Sequence, residues 1–103
     1  GIFQPHLFTR TRDFAEGFAA ALDLLDECIL LDIYPAREQP IPGITSATIA
    51  NLMKNPHVNL INKKDLLNLL KTKDIEVLMT MGAGDIDTLI EPIKNQLITN
   101  AKA

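Results

Sequence analysis

Apolar residues fall into two kinds of segment along this chain. Short, nearly continuous runs occur at Ile2-Phe3, Cys28 to Ile33, Val58 to Ile61 and Ile75 to Met81. Between them, apolar residues return every three or four positions, the spacing of one helical face. Thr11 to Leu25 aligns Phe14, Phe18, Ala21, Leu22 and Leu25, with Asp13 and Glu16 as a capping-box-like start. Ser46 to Asn55 aligns Ile49, Leu52 and Met53, and Pro56 follows its end. Lys64 to Thr72 carries Leu66, Leu67, Leu69 and Leu70. Asp85 to Ile98 carries Ile86, Leu89, Ile90, Ile93 and Leu97, and Pro92 inside that pattern predicts a kink or a split.

Strand-like runs alternating with helical segments predict βαβ units. Runs that are apolar throughout, rather than alternating, fit strands covered on both faces, as in a parallel sheet. The predicted architecture is α/β: a three-layer αβα sandwich with a mostly parallel, Rossmann-like sheet and right-handed crossovers. Cys28, Leu30, Val77 and Leu78 are expected to be buried. The first strand, Ile2-Phe3 before Gln4-Pro5, is short, which suggests a fragment of a longer protein whose first strand is cut.

At 103 residues the chain is long enough for one domain, residues 1 to 103. Its 47% hydrophobic content supports a real core. Ten basic residues against thirteen acidic ones give a net charge of −3, which argues against a nucleic-acid partner. No apolar run is long enough for a membrane-spanning helix. The first residues have no basic segment or cleavage pattern of a signal peptide. The one cysteine, Cys28, excludes an internal disulfide and reads as a buried thiol. A cytoplasmic setting is consistent with this.

Ligands of open parallel sheets sit at the carboxyl ends of the strands. The loop after the first strand holds His6, Arg10 and Arg12 near a helix start, where the dipole prefers acids. Two readings are open: an anion docks there, or the arginines face solvent or pair with Asp13 and Glu16. The loop after the second strand, from Asp32 to Gly43, contains three prolines after Tyr34 and is stiff. Its Tyr34, Arg37 and Glu38 either meet a ligand or neighbouring domain, or are surface groups. After the fourth run come Gly82, Ala83, Gly84 and Asp85, similar to a dinucleotide fingerprint, but Asp87 stands where the third glycine is required. Gly82 or Gly84 is expected to have positive φ in a tight turn. There is no Gly-Lys-Ser or Gly-Lys-Thr for a P-loop, no metal-ligand spacing and no nucleophile with an evident base. No catalytic or metal-binding residue is assigned.

Four ordered blocks carry a resemblance. Phe3-Gln4-Pro5-His6 with Thr9-Arg10-Thr11-Arg12-Asp13-Phe14 comes first. Leu31-Asp32-Ile33-Tyr34-Pro35-Ala36, then Pro40-Ile41-Pro42-Gly43 with Ser46, then Gly82-Ala83-Gly84-Asp85-Ile86 follow. Together they resemble the C-terminal domain of bacterial Mur ligases, closest to those that add L-alanine to UDP-N-acetylmuramate. The resemblance implies a three-domain cytoplasmic enzyme whose N-terminal domain binds the UDP-sugar and whose central domain carries the P-loop. ATP with Mg2+, bound mainly by that central domain, would phosphorylate the lactyl carboxylate, and the amine of L-alanine would attack the acyl phosphate. The C-terminal domain would close over both others. His6 and Arg10 match positions that contact the amino acid or product, and Arg12 is a less specific match. Leu7 departs from the pattern, since many members have arginine there. The related ligase that recycles murein tripeptide onto UDP-N-acetylmuramate and a stand-alone α/β binding module are the alternatives.

Overall fold

A computed structural model describes residues 1–102. Four short strands form one all-parallel sheet: β1 (Ile2–Gln4), β2 (Cys28–Leu30), β3 (Val58–Leu60) and β4 (Thr80–Gly82). Their order is β3-β2-β1-β4. The helices are α1 (Phe8–Leu22), α2 (Ser46–Ala50), α3 (Lys63–Lys71) and α4 (Ile90–Lys102), with a 3-10 turn at Asp85–Leu89.

Strand side chains alternate between faces, and the two faces build two cores. Ile2, Ile29 and Leu31 pack with Leu66 and Leu70 of α3, with Ile86 and with Ile93 of α4. Cys28 and Leu30 face the other way, onto Ala15, Ala19 and Leu22 of α1 and Ile49 of α2. This is the expected αβα sandwich; Cys28 and Leu30 are buried as expected, whereas Leu78 is only half-buried. Burial raises the pKa of the Cys28 thiol, which keeps it protonated.

The predicted helix boundaries shift for identifiable reasons. α1 starts at Phe8, not Thr11, and its first turn contains no acid. Asp13 and Glu16 therefore form no capping box. Its buried stripe is Thr11, Ala15, Ala19 and Leu22; Phe14 is 61% exposed, and Ala21 also faces solvent. The two small alanines set the helix close to β2, and Phe18 packs its ring 5.2 Å from that of Phe3. α2 ends early, at Ala50. The Asp23 carboxylate accepts from the Lys54 and Asn55 N–H groups at 2.9 and 3.0 Å, tying the chain there to the end of α1. The pattern through Pro92 is split, as predicted. A 3-10 turn gives way to α4 at Ile90, so Pro92 lies in the first helical turn, where a missing N–H costs little.

The fourth strand is shorter than expected. Its register pairs Ile2 with Thr80, and the Ile2 N–H donates to the Met79 C=O at 2.8 Å, so Val77 lies beyond the bonded segment. Val77 is consequently 86% exposed, contrary to its expected burial. Among the described residues no helix is long and apolar enough to cross a membrane.

Leu66 is fully buried between sheet and helices. Leu66→Ala is expected to destabilise the fold by about 2–5 kcal/mol, and Val77→Ala by less than about 0.5 kcal/mol. Urea denaturation of both variants checks this; equal losses would mean that Val77 is a core residue after all.

Candidate functional site

Backbone pairing between the first two strands does not stop at their ends. Leu31 N–H donates to Phe3 C=O at 3.0 Å, Tyr34 N–H to Pro5 C=O at 2.8 Å, and Leu7 N–H to Tyr34 C=O at 2.9 Å. These bonds draw the two loops together over the carboxyl edge. His6 forms an isolated parallel bridge with Tyr34, and their rings stack with centroids 5.8 Å apart and planes 16° apart. Leu7, with φ of 69°, turns the chain from strand into helix.

The start of α1 is already occupied by an anion, and it belongs to the chain itself. Glu38 Oε1 accepts from the Phe8 N–H at 2.5 Å and the Thr9 N–H at 3.2 Å, and Oε2 accepts from the Thr9 hydroxyl at 2.5 Å. The Thr9 hydroxyl, then the backbone N–H groups of Thr9 and Phe8, hold the Glu38 carboxyl below its ordinary pKa. Of the two readings of this loop, the one that seats an external anion on these amides would require Glu38 to be displaced. The sequence marked Glu38 as a loop residue but not as the cap, because its partners lie about thirty positions away.

The two arginines part company. Arg12 pairs with its neighbour Asp13, Nε to Oδ1 at 2.8 Å, with both groups exposed. That pair raises the arginine pKa and lowers the aspartate one, and it has the character of a solvated surface contact. Arg10 is exposed in the first turn of α1, and among the described residues no carboxylate lies within ion-pair distance of it. Arg37 is exposed in the turn closed by Glu38 N–H donating to Pro35 C=O at 2.9 Å.

The crevice between β1 and β4 lies where the strand order reverses, the place where doubly wound sheets take nucleotides. Here it is filled from within. Gln4, 2% exposed, donates from Nε2 to Asp85 Oδ1 at 2.6 Å and accepts from the Ile86 N–H at 3.0 Å. Lys63 pairs with the other Asp85 oxygen. These contacts, Lys63 first and Gln4 second, lower the Asp85 pKa. A phosphate would find the helix amide taken and a carboxylate beside it. Gln4 and Lys63 were not singled out in the sequence; a polar residue closing an apolar strand was the available signal. Gly82 has a positive φ of 158°, as expected for one of the two glycines and rarely adopted by residues with a side chain, while Gly84 has φ of −98°. Space, rather than left-handed backbone, constrains Gly84: a Cβ there would lie 2.5 Å from Tyr34 Cγ and 2.6 Å from Gln4 Oε1.

Gln4, Tyr34, Lys63 and Asp85 also line an open cleft of about 510 Å³ on this edge. Among the described residues no group of three His, Cys, Asp or Glu side chains is placed to hold a metal ion.

Two outcomes are expected from this geometry. Gly84→Ala should destabilise by more than about 1 kcal/mol, because Tyr34 or Gln4 must move, while Gly17→Ala on the open face of α1, with no atom within 4 Å, should be neutral or stabilising; thermal melts of the pair decide. Glu38 contributes stability as an anion, so its contribution is present above about pH 4.3 and fades as pH falls through its lower folded pKa. The stability gap between the parent chain and Glu38→Gln should be widest near pH 7 and narrow towards pH 3; a gap independent of pH would show that the charge is irrelevant.

Known proteins supply the remaining evidence. No protein-family profile matches the chain. Individual proteins do. A UDP-N-acetylmuramate–L-alanine ligase of Porphyromonas gingivalis is 54% identical over 100 residues, covering 96% of this chain and 22% of the ligase. Ligases of the same name from Parabacteroides distasonis and Flavobacterium johnsoniae are 57% and 50% identical, over 94% and 96% of this chain and 21% and 22% of their own lengths. The chain thus spans about a fifth of the relatives that it matches. At 50–57% identity over 94–96% of its length, the chain belongs to the family of UDP-N-acetylmuramate–L-alanine ligases, corresponding to their C-terminal part.

Proposed function

We propose that this chain is the amino-acid-contacting, closing domain of an ATP-dependent ligase that joins L-alanine to UDP-N-acetylmuramate for peptidoglycan synthesis. The observation that carries the reading is the 50–57% identity to ligases of that name across nearly the whole chain. Those relatives bear the alanine-adding name rather than that of a tripeptide-recycling ligase, and they are enzymes rather than stand-alone binding modules.

The chemistry divides along the fold. This domain does not fit nucleotide phosphates: it has no Gly-Lys-Ser or Gly-Lys-Thr, and its switch-point crevice is closed by Gln4 and Asp85. As the family resemblance implies, ATP and Mg2+ would be held by a central domain of the longer protein and the UDP-sugar by an N-terminal one. What this domain offers is Arg10, an exposed cation with no ion-pair partner among the described residues. Arg10 lies in the first turn of α1, four residues after His6, whose ring stacks on Tyr34. L-Alanine arrives as a zwitterion. Its carboxylate must be anchored while its amine, once deprotonated, reaches the activated carbonyl. Arg10 supplies a charge-assisted anchor, and the half-buried His6 borders it with a further hydrogen-bonding group. Arg12, engaged with Asp13, plays no part. Closure of the domain brings the anchor to the reacting centre only when the other substrates are loaded. Leu7 leaves one guanidinium fewer on the edge than the family pattern implies, so that carboxylate contact falls to Arg10 or to another domain.

In the full-length ligase, Arg10→Ala is expected to lower kcat/KM for L-alanine about ten- to a hundredfold, the effect of losing a charged hydrogen bond. Affinity for the UDP-sugar and melting temperature should hardly move. Unchanged alanine kinetics would make Arg10 a surface charge. The 103-residue chain alone is expected to release no phosphate from ATP in a colorimetric assay; measurable release would contradict the assignment of ATP to another domain.

A further inference from the structure

The carboxylate of Glu38 has a role that burying or capping a helix does not exhaust. It reaches from the proline-rich loop to the first turn of α1 and binds three donors there, the Phe8 and Thr9 amides and the Thr9 hydroxyl. Arg10 is the next residue along that turn. On its own side, Glu38 closes the Pro35 turn, whose first neighbour is Tyr34, the residue stacked on His6 and bonded through its backbone to Pro5 and Leu7. The two side chains proposed to meet the substrate thus hang from opposite ends of one clamp. Without it, the first turn of a helix frays readily, since its N–H groups have no acceptors within the helix. The clamp also decides where an anion can bind. With the Phe8 and Thr9 amides taken, a negative ligand is directed away from the helix end and onto the guanidinium. Leu7, Phe8 and Thr9 provide no charge of their own to do this.

We propose that Glu38 is a positioning residue for amino-acid recognition: by occupying the start of α1 it fixes Arg10 and His6 in the arrangement that accepts the carboxylate of L-alanine. This rests on the reading of Arg10 as the carboxylate anchor. Glu38 touches neither substrate nor the reacting atoms, and it acts through the orientation of residues that do. Its loss costs alignment, which is severe where a charged contact must be met at a fixed distance and angle.

The test uses steady-state kinetics of the full-length ligase with L-alanine, UDP-N-acetylmuramate and ATP varied separately. The variants are Arg10→Ala, Glu38→Ala and the double variant, with melting temperature measured for each. Glu38→Ala is expected to raise KM for L-alanine about tenfold, leaving KM for the other two substrates within about twofold. The double variant should be no worse than the poorer single one, because both changes remove the same contact. Should Glu38→Ala fail to fold, Glu38→Gln keeps an acceptor oxygen on the cap, and the same criteria apply to it with a rise of about threefold. A loss shared equally by all three substrates, or a double variant whose defects multiply, overturns the positioning role while leaving Arg10 as anchor. If Arg10→Ala itself leaves KM for L-alanine unchanged, the anchor reading fails and the positioning role falls with it.

Discussion

One carboxylate organises the functional edge of this domain. Every helix start exposes N–H groups that need acceptors, and sequences usually meet that need with a side chain a few positions away. Here the acceptor for α1 comes from Glu38, about thirty residues downstream. A local requirement of one helix is thereby met by a tertiary contact, and the loops following β1 and β2 become one structure. The backbone bonds through Tyr34 then hold them at a second point. Two attachments, one electrostatic and one sheet-like, fix both the position and the tilt of the first turn of α1.

The same economy appears on the other side of β1. The crevice that a Rossmann-like sheet offers to phosphates is occupied by the Gln4 side chain, which takes the helix amide and an aspartate oxygen together. Gly84 permits this only because it has no Cβ to collide with Tyr34. Glu38 and Gln4 therefore perform parallel tasks: each places a protein oxygen at a helix start where a ligand oxygen would otherwise sit. At these two helix starts the amides are taken, and the neighbouring charged side chains are left to face solvent.

Much of this was legible in the sequence, and what was not has a physical cause. Burial of Cys28 and Leu30 follows from local composition, because a short continuous apolar run has few alternatives to a covered strand. The split before Pro92 follows from the missing proline N–H. Val77 misled because its exposure depends on the register of β4 against β1, which no local pattern encodes. Phe14 misled in a similar way: helical periodicity allows either of two adjacent stripes, and the choice fell to the one that brings Ala15 and Ala19 against the sheet. Arg10 and Arg12 look equivalent as letters. They differ because an adjacent aspartate pairs with Arg12, whereas among the described residues no carboxylate lies within ion-pair distance of Arg10. The role of Glu38 was hidden by distance along the chain, although the residue itself stood out among the prolines.

The central claim is that Glu38 keeps the helix amides and thereby leaves the substrate carboxylate to Arg10. A crystal structure of the full-length protein with the product proposed for it, UDP-N-acetylmuramoyl-L-alanine, measures this directly. The account predicts the alanyl carboxylate within hydrogen-bond distance of the Arg10 guanidinium, with Glu38 still bonded to Phe8 and Thr9. A carboxylate seated on the Phe8 and Thr9 amides with Glu38 displaced, or an Arg10 side chain turned to solvent, would contradict it.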